Sequence, residues 1–581
     1  MKRIVTLLSI TALFATACSD NFLSPDPKSF FSPEAVYTEP AGFEALLVTM
    51  RANLKSEHYD NRNYIAMDHT LSDLAITIEP SDLRTISPSD APFWPYLSFF
   101  DDAYRYIKDA NVLISRIDDI SWEGNEQTRN EMLAEAYWHR AYWYYRLVHA
   151  YGDVPWIGEE LMDAKLDFQT VTREAILNKI QEDLEWAEQQ LPDRRQVNGD
   201  VTRGAAGHLL AKVALANLDF EESIAAASRV IDGPYSLMTE RFGIDADDPQ
   251  RNVQWDLHRW QNKSLPQNTE AIYVHIDRPD AATATRSGGA HTLRLYTPSW
   301  WKILDSAGNR WCNWETATGD TLGIGNADVR TNNFWHYEIW DDGTYTWEDT
   351  PDMRRADINW VEMEEIVGCH EDSPNYGEHF SQEFYGSLVD TFDTWYPWPH
   401  YKLFLETPNE RQPRGGQGDM YLFRLAETYL IRAEAYYWNN QPGLAAADIN
   451  IVRERSNAPQ ISSVDIDVIF DERARELYSE EPRHTELVRA SYIMAAEGEG
   501  GYSLENFSQS NWFYDRVMER NDNYHQTAPI WRGSIAYLDP FNVHLPIPHS
   551  VIEANTQGHV NQNEGYDGAQ NNIPPLDRIE E

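Results

Sequence analysis

The chain has 581 residues, with 48 Lys and Arg set against 93 Asp and Glu, a formal net charge of −45 at pH 7. So acidic a balance excludes a nucleic-acid binder, which needs basic counter-charge for phosphates, and 42% hydrophobic with 13% aromatic residues excludes wholesale disorder. Three cysteines, Cys18, Cys312 and Cys369, are too few for a disulfide framework and hold no Cys-x-x-Cys pair, and they leave open whether Cys312 and Cys369 are joined.

The first residues read as an address. Lys2 and Arg3 precede an apolar run from Ile4 to Phe14, and Ala15, Thr16 and Ala17 then lead to Cys18. A charged start, an apolar stretch too short to span a bilayer, and small residues before a cut make a secretory signal. A cysteine at the cut predicts a lipoprotein signal over 1–17, with Cys18 acylated and 18–31 as a lipidated tether. The mature protein is then expected outside the cytoplasm, held to a membrane by lipid.

Residues 131–150 place Leu133, Ala136, Tyr137, Arg140, Ala141, Tyr144, Leu147 and Val148 at helical spacing, and the run ends in the turn Tyr151-Gly152-Asp153-Val154-Pro155. A helix is predicted over 202–218 with Thr202 as its N-cap, and another over about 220–232, stopped by Gly233-Pro234. The pattern returns over 420–438, then after Pro442-Gly443 to about Arg455, and from Asp465 to Glu480. Alanine-studded helix pairs of this kind stack as tetratricopeptide-type units. The predicted fold is therefore mostly α, a tetratricopeptide-like helical-repeat scaffold over about 32–235 and 419–581, interrupted by an irregular insertion over about 236–418. Residues 32–581 are read as one domain.

The insertion is rich in Gly, Asp, Asn and Pro, and residues 251–415 hold 12 of the 21 tryptophans. Short runs such as Ala271 to Ile276 suit strands. Long loops on a rigid frame are where binding residues gather. Sugar rings pack C–H faces on aromatic rings while their hydroxyls meet polar groups at the rim. The candidate platforms are Trp94 in Pro92-Phe93-Trp94-Pro95, then Tyr296, Trp300, Trp301 and Trp311, with Trp314, Trp335 and Trp340 further along. Trp138 and Trp143 sit on a scaffold helix and are expected to pack.

No Gly-x-Ser-x-Gly elbow, Walker loop, His-Glu-x-x-His or dinucleotide fingerprint is present. Paired carboxylates serve a glycosidase only at the right separation in space, which sequence does not give. Asp245-x-Asp247-Asp248 and Asp341-Asp342-Gly343 are oxygen-rich and would suit calcium, but both stop short of a full loop pattern. No cofactor is expected.

Six segments, in order, carry a family likeness. They are Cys18 to Leu23, Tyr104-x-x-Ile107-x-x-Ala110-Asn111, Ala134 through Arg140-Ala141 to Pro155, Arg424-Leu425-Ala426-Glu427 through Ala435 with Asn450-x-Val452-Arg453-x-Arg455, Glu472-Arg473-x-x-Glu476-Leu477-x-x-Glu480 with Arg483 and Arg489, and Leu545-Pro546-Ile547-Pro548 with Gln562-Asn563-x-Gly565-Tyr566. In these the chain resembles the SusD/RagB family of outer-membrane glycan-binding lipoproteins. The resemblance implies a non-enzymatic protein on the outer membrane that captures oligo- or polysaccharide for a SusC-like TonB-dependent transporter. It also implies a ligand site made of an aromatic before the first long helix and aromatics in the insertion. Trp94 and Tyr296 are favoured for this role, with Asp73 and Arg84 as hydroxyl partners. RagB-like members leave peptides or another nutrient as an alternative ligand, and an all-helical glycoside hydrolase is the enzyme alternative. Glu472, Arg473, Glu476, Glu480 and Arg483 are spaced to pair along a helix and are read as holding the scaffold.

Overall fold

The computed structural model describes residues 36–579, apart from 60–62, 78–82, 90–94, 197–198, 279–288, 306, 312–321, 382–390, 406–414 and 525–534. The signal, Cys18 and the tether lie outside the described residues, as do Trp94, Cys312 and Trp314.

Twelve described helices of seven residues or more form the frame: α1 (Pro40–Asn53), α2 (Tyr64–Thr70), α3 (Pro95–Arg116), α4 (Glu126–Tyr151), α5 (Arg173–Gln190), α6 (Arg203–Ala216), α7 (Phe220–Ile231), α8 (Leu425–Trp438), α9 (Pro442–Arg455), α10 (Ile466–Leu477), α11 (Arg483–Glu497) and α12 (Trp512–Arg520). Their starts follow capping chemistry. Thr172, Asp219, Asp465 and Asn511 each accept a hydrogen bond from a backbone N–H in the first turn of the helix that follows. Thr202 takes the N-cap position of α6 without making that bond. Gly152 ends α4 at φ +67°, where a Cβ would also press on the His544 ring at 3.2 Å, so glycine is required twice over.

From α3 to α9 each helix packs on the next: α3 on α4, α4 on α5, α5 on α6, α6 on α7, α7 on α8, and α8 on α9. The α7–α8 contact closes the array across the whole insertion, so repeats nearly two hundred residues apart in sequence are neighbours in space. α6 lies inside this stack, with every residue from Gly204 to Ala216 buried. Its small side chains let the neighbouring axes approach; a Cβ on Gly207 would meet Val230 and Glu188 at 2.9 Å.

The described strands are short and form three antiparallel pairs. β1 (Ala75–Thr77) pairs with β5 (Val329–Thr331), β2 (Val154–Pro155) with β3 (Thr170–Val171), and β4 (Ala271–His275) with β6 (Met420–Arg424). The run 420–438, expected as one helix, is thus a strand followed by α8. Its first five residues are all buried, and a short continuous apolar run does not distinguish strand from helix by periodicity. β4 against β6, Ala271 facing Arg424, pins the two ends of the insertion together.

Two large cores result. One fills the helical array and runs from Leu54 to Val560. The other belongs to the insertion, where Trp300, Trp311, Trp335, Trp340, Trp360 and Trp398 cluster with Tyr296, Leu293 and Phe334 and meet Ala474 and Tyr478 of the scaffold. Trp138 and Trp143 are buried in the first.

The predicted helix-face pairing of charges is corrected by the structure. Glu476 accepts from Arg354 at 2.8 Å, from Arg424 at 2.5 Å and from Arg455. Glu480 binds Arg424 and Lys402, both at 2.6 Å. Arg473 reaches Glu481 at 2.7 Å, and Arg483 reaches Asp73 at 2.7 Å. These partners come from different elements because the groups are buried, and a buried charge needs neutralising from every side it faces. The charges tie the scaffold together.

Candidate functional site

Four of the expected ligand-binding side chains are buried. Trp300 and Trp311 are 0% exposed and Tyr296 is 2% exposed. Tyr296 packs edge-on to His69 and Tyr478, and Trp311 packs edge-on to Phe380. A ring enclosed in this way offers no face to a ligand. Asp73 is 0% exposed, with its carboxylate receiving Arg483 at 2.8 and 2.7 Å and Arg516 at 2.7 Å. The two guanidinium groups outweigh burial and hold the Asp73 carboxyl below its usual range. It is a structural anchor rather than a hydroxyl partner. The error has a physical source: in a segment with no period, sequence shows how many rings there are but not which way they face.

Two expected residues do reach the surface. Trp301 stands on the single turn Trp300–Lys302 and is half-buried at the edge of the insertion core. Its indole N–H donates to the Gly325 carbonyl at 2.7 Å, which fixes the ring. Arg310 and Lys302 hold their charges 4.9 and 5.7 Å from its centroid. Lys302 is itself tied to Asp393 at 2.7 Å, and Trp395, also half-buried, follows two residues later. Arg84 is exposed on the turn Leu83–Thr85, with its guanidinium 4.0 Å over the Tyr537 ring. Leu83 N–H donates to the Tyr537 carbonyl at 3.0 Å, which ties this turn to the segment carrying Tyr537.

β5, the partner of β1, carries Arg330, which donates to the Phe392 carbonyl at 2.8 Å and lies 4.2 Å over Tyr396. Asp393, the partner of Lys302, is next to Phe392. Trp301 and Arg84 thus reach the surface, whereas Tyr296, Trp300 and Trp311 are enclosed in the insertion core.

The acidic stretches considered for calcium serve as turn braces. Asp245 accepts from the Trp255 indole at 2.8 Å. Asp341 accepts from Gly343 N–H at 2.8 Å, and Asp342 from Thr344 and Tyr345 N–H at 2.9 Å. Among the described residues no group of three or more His, Cys, Asp or Glu is arranged to hold a metal.

A groove of about 740 Å³ has none of the expected ligand-binding residues among its described lining residues. It lies where the start of α5, the end of α6, α11 and the C-terminal segment meet, and Arg173, Tyr492, Phe507, Phe541 and His544 line it. Its main ring is already occupied. Tyr492 carries Arg173 at 4.0 Å and Phe507 stacked at 4.3 Å, so both faces are taken. Burial draws the Arg173 guanidinium below its usual range. The sequence signal was slight: an arginine as the first residue of a helix, where the dipole favours an acid.

The comparison with known proteins decides the family. The model described as the SusD family matches residues 270–566, just over half of the chain. The chain belongs to the SusD family. A second model, described as starch-binding and associating with the outer membrane, matches residues 24–215 of this SusD-family chain. SusD-like protein P2 of Formosa agariphila is 28% identical over 244 residues, which is 40% of this chain and 46% of that protein. SusD-like protein P25 of the same organism is 22% identical over 608 residues, covering 96% of this chain and 97% of its own. Among solved structures, a laminarin binding SusD-like protein, 21% identical, aligns over 91% of this chain and 100% of its own with a TM-score of 0.59. The mostly helical, repeat-based fold is the SusD-like one.

Proposed function

We propose that this chain is a surface glycan-capture protein, which holds oligosaccharide on loop-borne rings and passes it uncut to a TonB-dependent transporter of the outer membrane. The observation that carries this reading is the SusD-family match over just over half of the chain. The second family model, whose description names starch binding and outer-membrane association, and the laminarin-binding relative of the same fold support the ligand class and the location. Acylation at Cys18 would supply the anchor; among the described residues no helix is long and apolar enough to cross a membrane.

Of the expected site residues, Trp94, Trp301 and Arg84 are the ones kept in the proposal. Trp301 presents part of a ring held rigid by its bond to Gly325, and a rigid aromatic surface binds a sugar face at small entropic cost. Arg84, stacked on Tyr537, offers donors to hydroxyls at the rim. The mechanism is stacking plus hydrogen bonding, with no bond broken. The overall charge of −45 repels strongly anionic polymers at long range and favours neutral chains.

Native electrophoresis through gels containing laminarin or starch tests the reading. Wild-type protein is expected to be retarded, and Trp94→Ala and Trp301→Ala to run faster. Retardation unchanged in both variants would overturn the assigned rings. Binding to peptides but to no polysaccharide, or release of reducing sugar, would overturn the function.

A further inference from the structure

A second cavity, about 320 Å³, has a chemistry unlike the rest of the chain. Three cations line it: Arg195 from the turn after α5, Lys263 at the end of the short helix Trp260–Lys263, and Arg278 just beyond β4. No carboxylate is among its described lining residues. In a protein of net charge −45, a cavity walled by three cations runs against the average in both sign and density.

None of the three is fully neutralised. Lys263 is 3% exposed, and its Nζ lies 3.4 Å from the Met420 sulfur and 5.4 Å from the Tyr421 ring centroid. No described carboxylate is within ion-pair reach of it. Arg195 donates to the carbonyls of Asn268, at 2.6 Å, and Pro266, which are dipoles rather than charges. Arg278 approaches Asp419 at 3.6 Å, and its Nε is buried without a hydrogen-bond partner. Asp419 is shared besides with the Asp277 N–H at 3.0 Å and the Ser264 hydroxyl. Of the three, only Arg278 lies within ion-pair range of a described carboxylate; Lys263 and Arg195 are held by a sulfur, a ring and carbonyl dipoles.

Burying a cation without its counter-charge is costly, and the other buried lysines Lys55, Lys212 and Lys402 each bind a carboxylate at 2.6 Å. Lys263 differs from these lysines. Burial, only partly offset by Glu480 and Asp419 and opposed by Lys402 and Arg424, brings its ammonium down to about 8. A group kept under such strain next to a cavity marks a site where the missing charge arrives with a ligand.

We propose that this cavity is an anion site that receives one acidic sugar unit, its carboxylate or sulfate ester bound by Lys263, Arg195 and Arg278. Its volume lies at the small end of the ligand-site range of about 300–1,000 Å³, which suits a single ring and not a chain. Guanidinium and ammonium groups pair strongly with such oxyanions, and the apolar side chains of β4 line the wall where a ring would lie. The site goes beyond neutral-glycan capture at Trp301. It is reached through different elements, and its readout does not depend on that binding.

The test is thermal unfolding and titration calorimetry of the full mature chain with glucuronate, glucose 6-sulfate, inorganic sulfate and glucose, at matched ionic strength. Saturable stabilisation is expected from glucuronate, glucose 6-sulfate or both, with none from glucose. Lys263→Met and Arg278→Gln are each expected to weaken the effect at least about tenfold, the worth of one charge-assisted contact. Arg278 is the more exposed of the two, so its variant keeps the test valid if Lys263→Met does not fold. An effect from inorganic sulfate as large as from the sugars would overturn the sugar assignment. No saturable effect from any anion, or the same effect in Arg278→Gln, would overturn the site.

Discussion

Trp335 lies flat on Tyr478, with ring centroids 3.7 Å apart and planes 20° from parallel. One residue belongs to the insertion and the other follows α10, so this stack welds the Trp-rich region to the helical frame. Trp335 also donates its indole N–H to the Ala474 carbonyl at 3.1 Å. Trp335→Ala is expected to cost about 3–5 kcal/mol, as for other large core aromatics. Chemical denaturation measures it; a loss below about 1 kcal/mol would mean that the insertion stands independently of the scaffold.

Glu476 is the hub of the buried charge network, with Arg354, Arg424 and Arg455 all on its carboxylate. Glu476→Gln leaves three guanidinium groups short of charge, and breaking a buried pair from one side costs about 3–5 kcal/mol. The expected result is a large fall in the denaturation midpoint. A neutral result would show that the network is bridged by groups other than these.

Asp73 separates the structural account from the sequence expectation most sharply. Asp73→Asn removes the charge between Arg483 and Arg516. A drop in stability of about 3–5 kcal/mol is expected, with saccharide affinity unchanged in the folded fraction. Lost affinity at full stability would return Asp73 to the ligand site.

Acid is expected to unfold the protein in two stages. Burial holds His58, His69 and His544 at about 3 and His484 at about 4. In the unfolded chain these groups take up protons near pH 6.5. Between those values the unfolded state binds more protons, so stability falls as pH drops below about 6.5. Glu427, Glu472 and Glu480 resist the upward push of burial and sit at about 2, through Lys212, Arg354 and Arg424 respectively. Their contribution is present above about pH 4.5 and is lost below it, which steepens the decline. Urea midpoints measured from pH 7 to pH 3 check this; a flat profile would contradict it.

The helices were legible because their signals are local. The start at Asp465, the stop at Gly152 and the 3.6-residue stripes depend on neighbours in sequence, although Thr202, expected as a cap, makes no capping bond. The site was only partly legible. Trp300 and Trp301 are adjacent, yet one is 0% exposed and the other half-buried, and no composition rule separates them. The role of Glu472, Arg473, Glu476, Glu480 and Arg483 as scaffold could be read from type and spacing, whereas their pairing across elements needed the fold. Lys263 carries no local signal at all: its lack of a counter-charge exists only once β6, α10 and the turn after α5 have come together.

Titration calorimetry of mature protein with laminari-oligosaccharides of increasing length, with chromatography of the recovered sugar, tests the central claim most directly. The account predicts saturable binding that strengthens with chain length, weakens in Trp301→Ala and returns every oligosaccharide intact. Shortened products, or heats of binding identical in wild type and in both Trp301→Ala and Trp94→Ala, would contradict it.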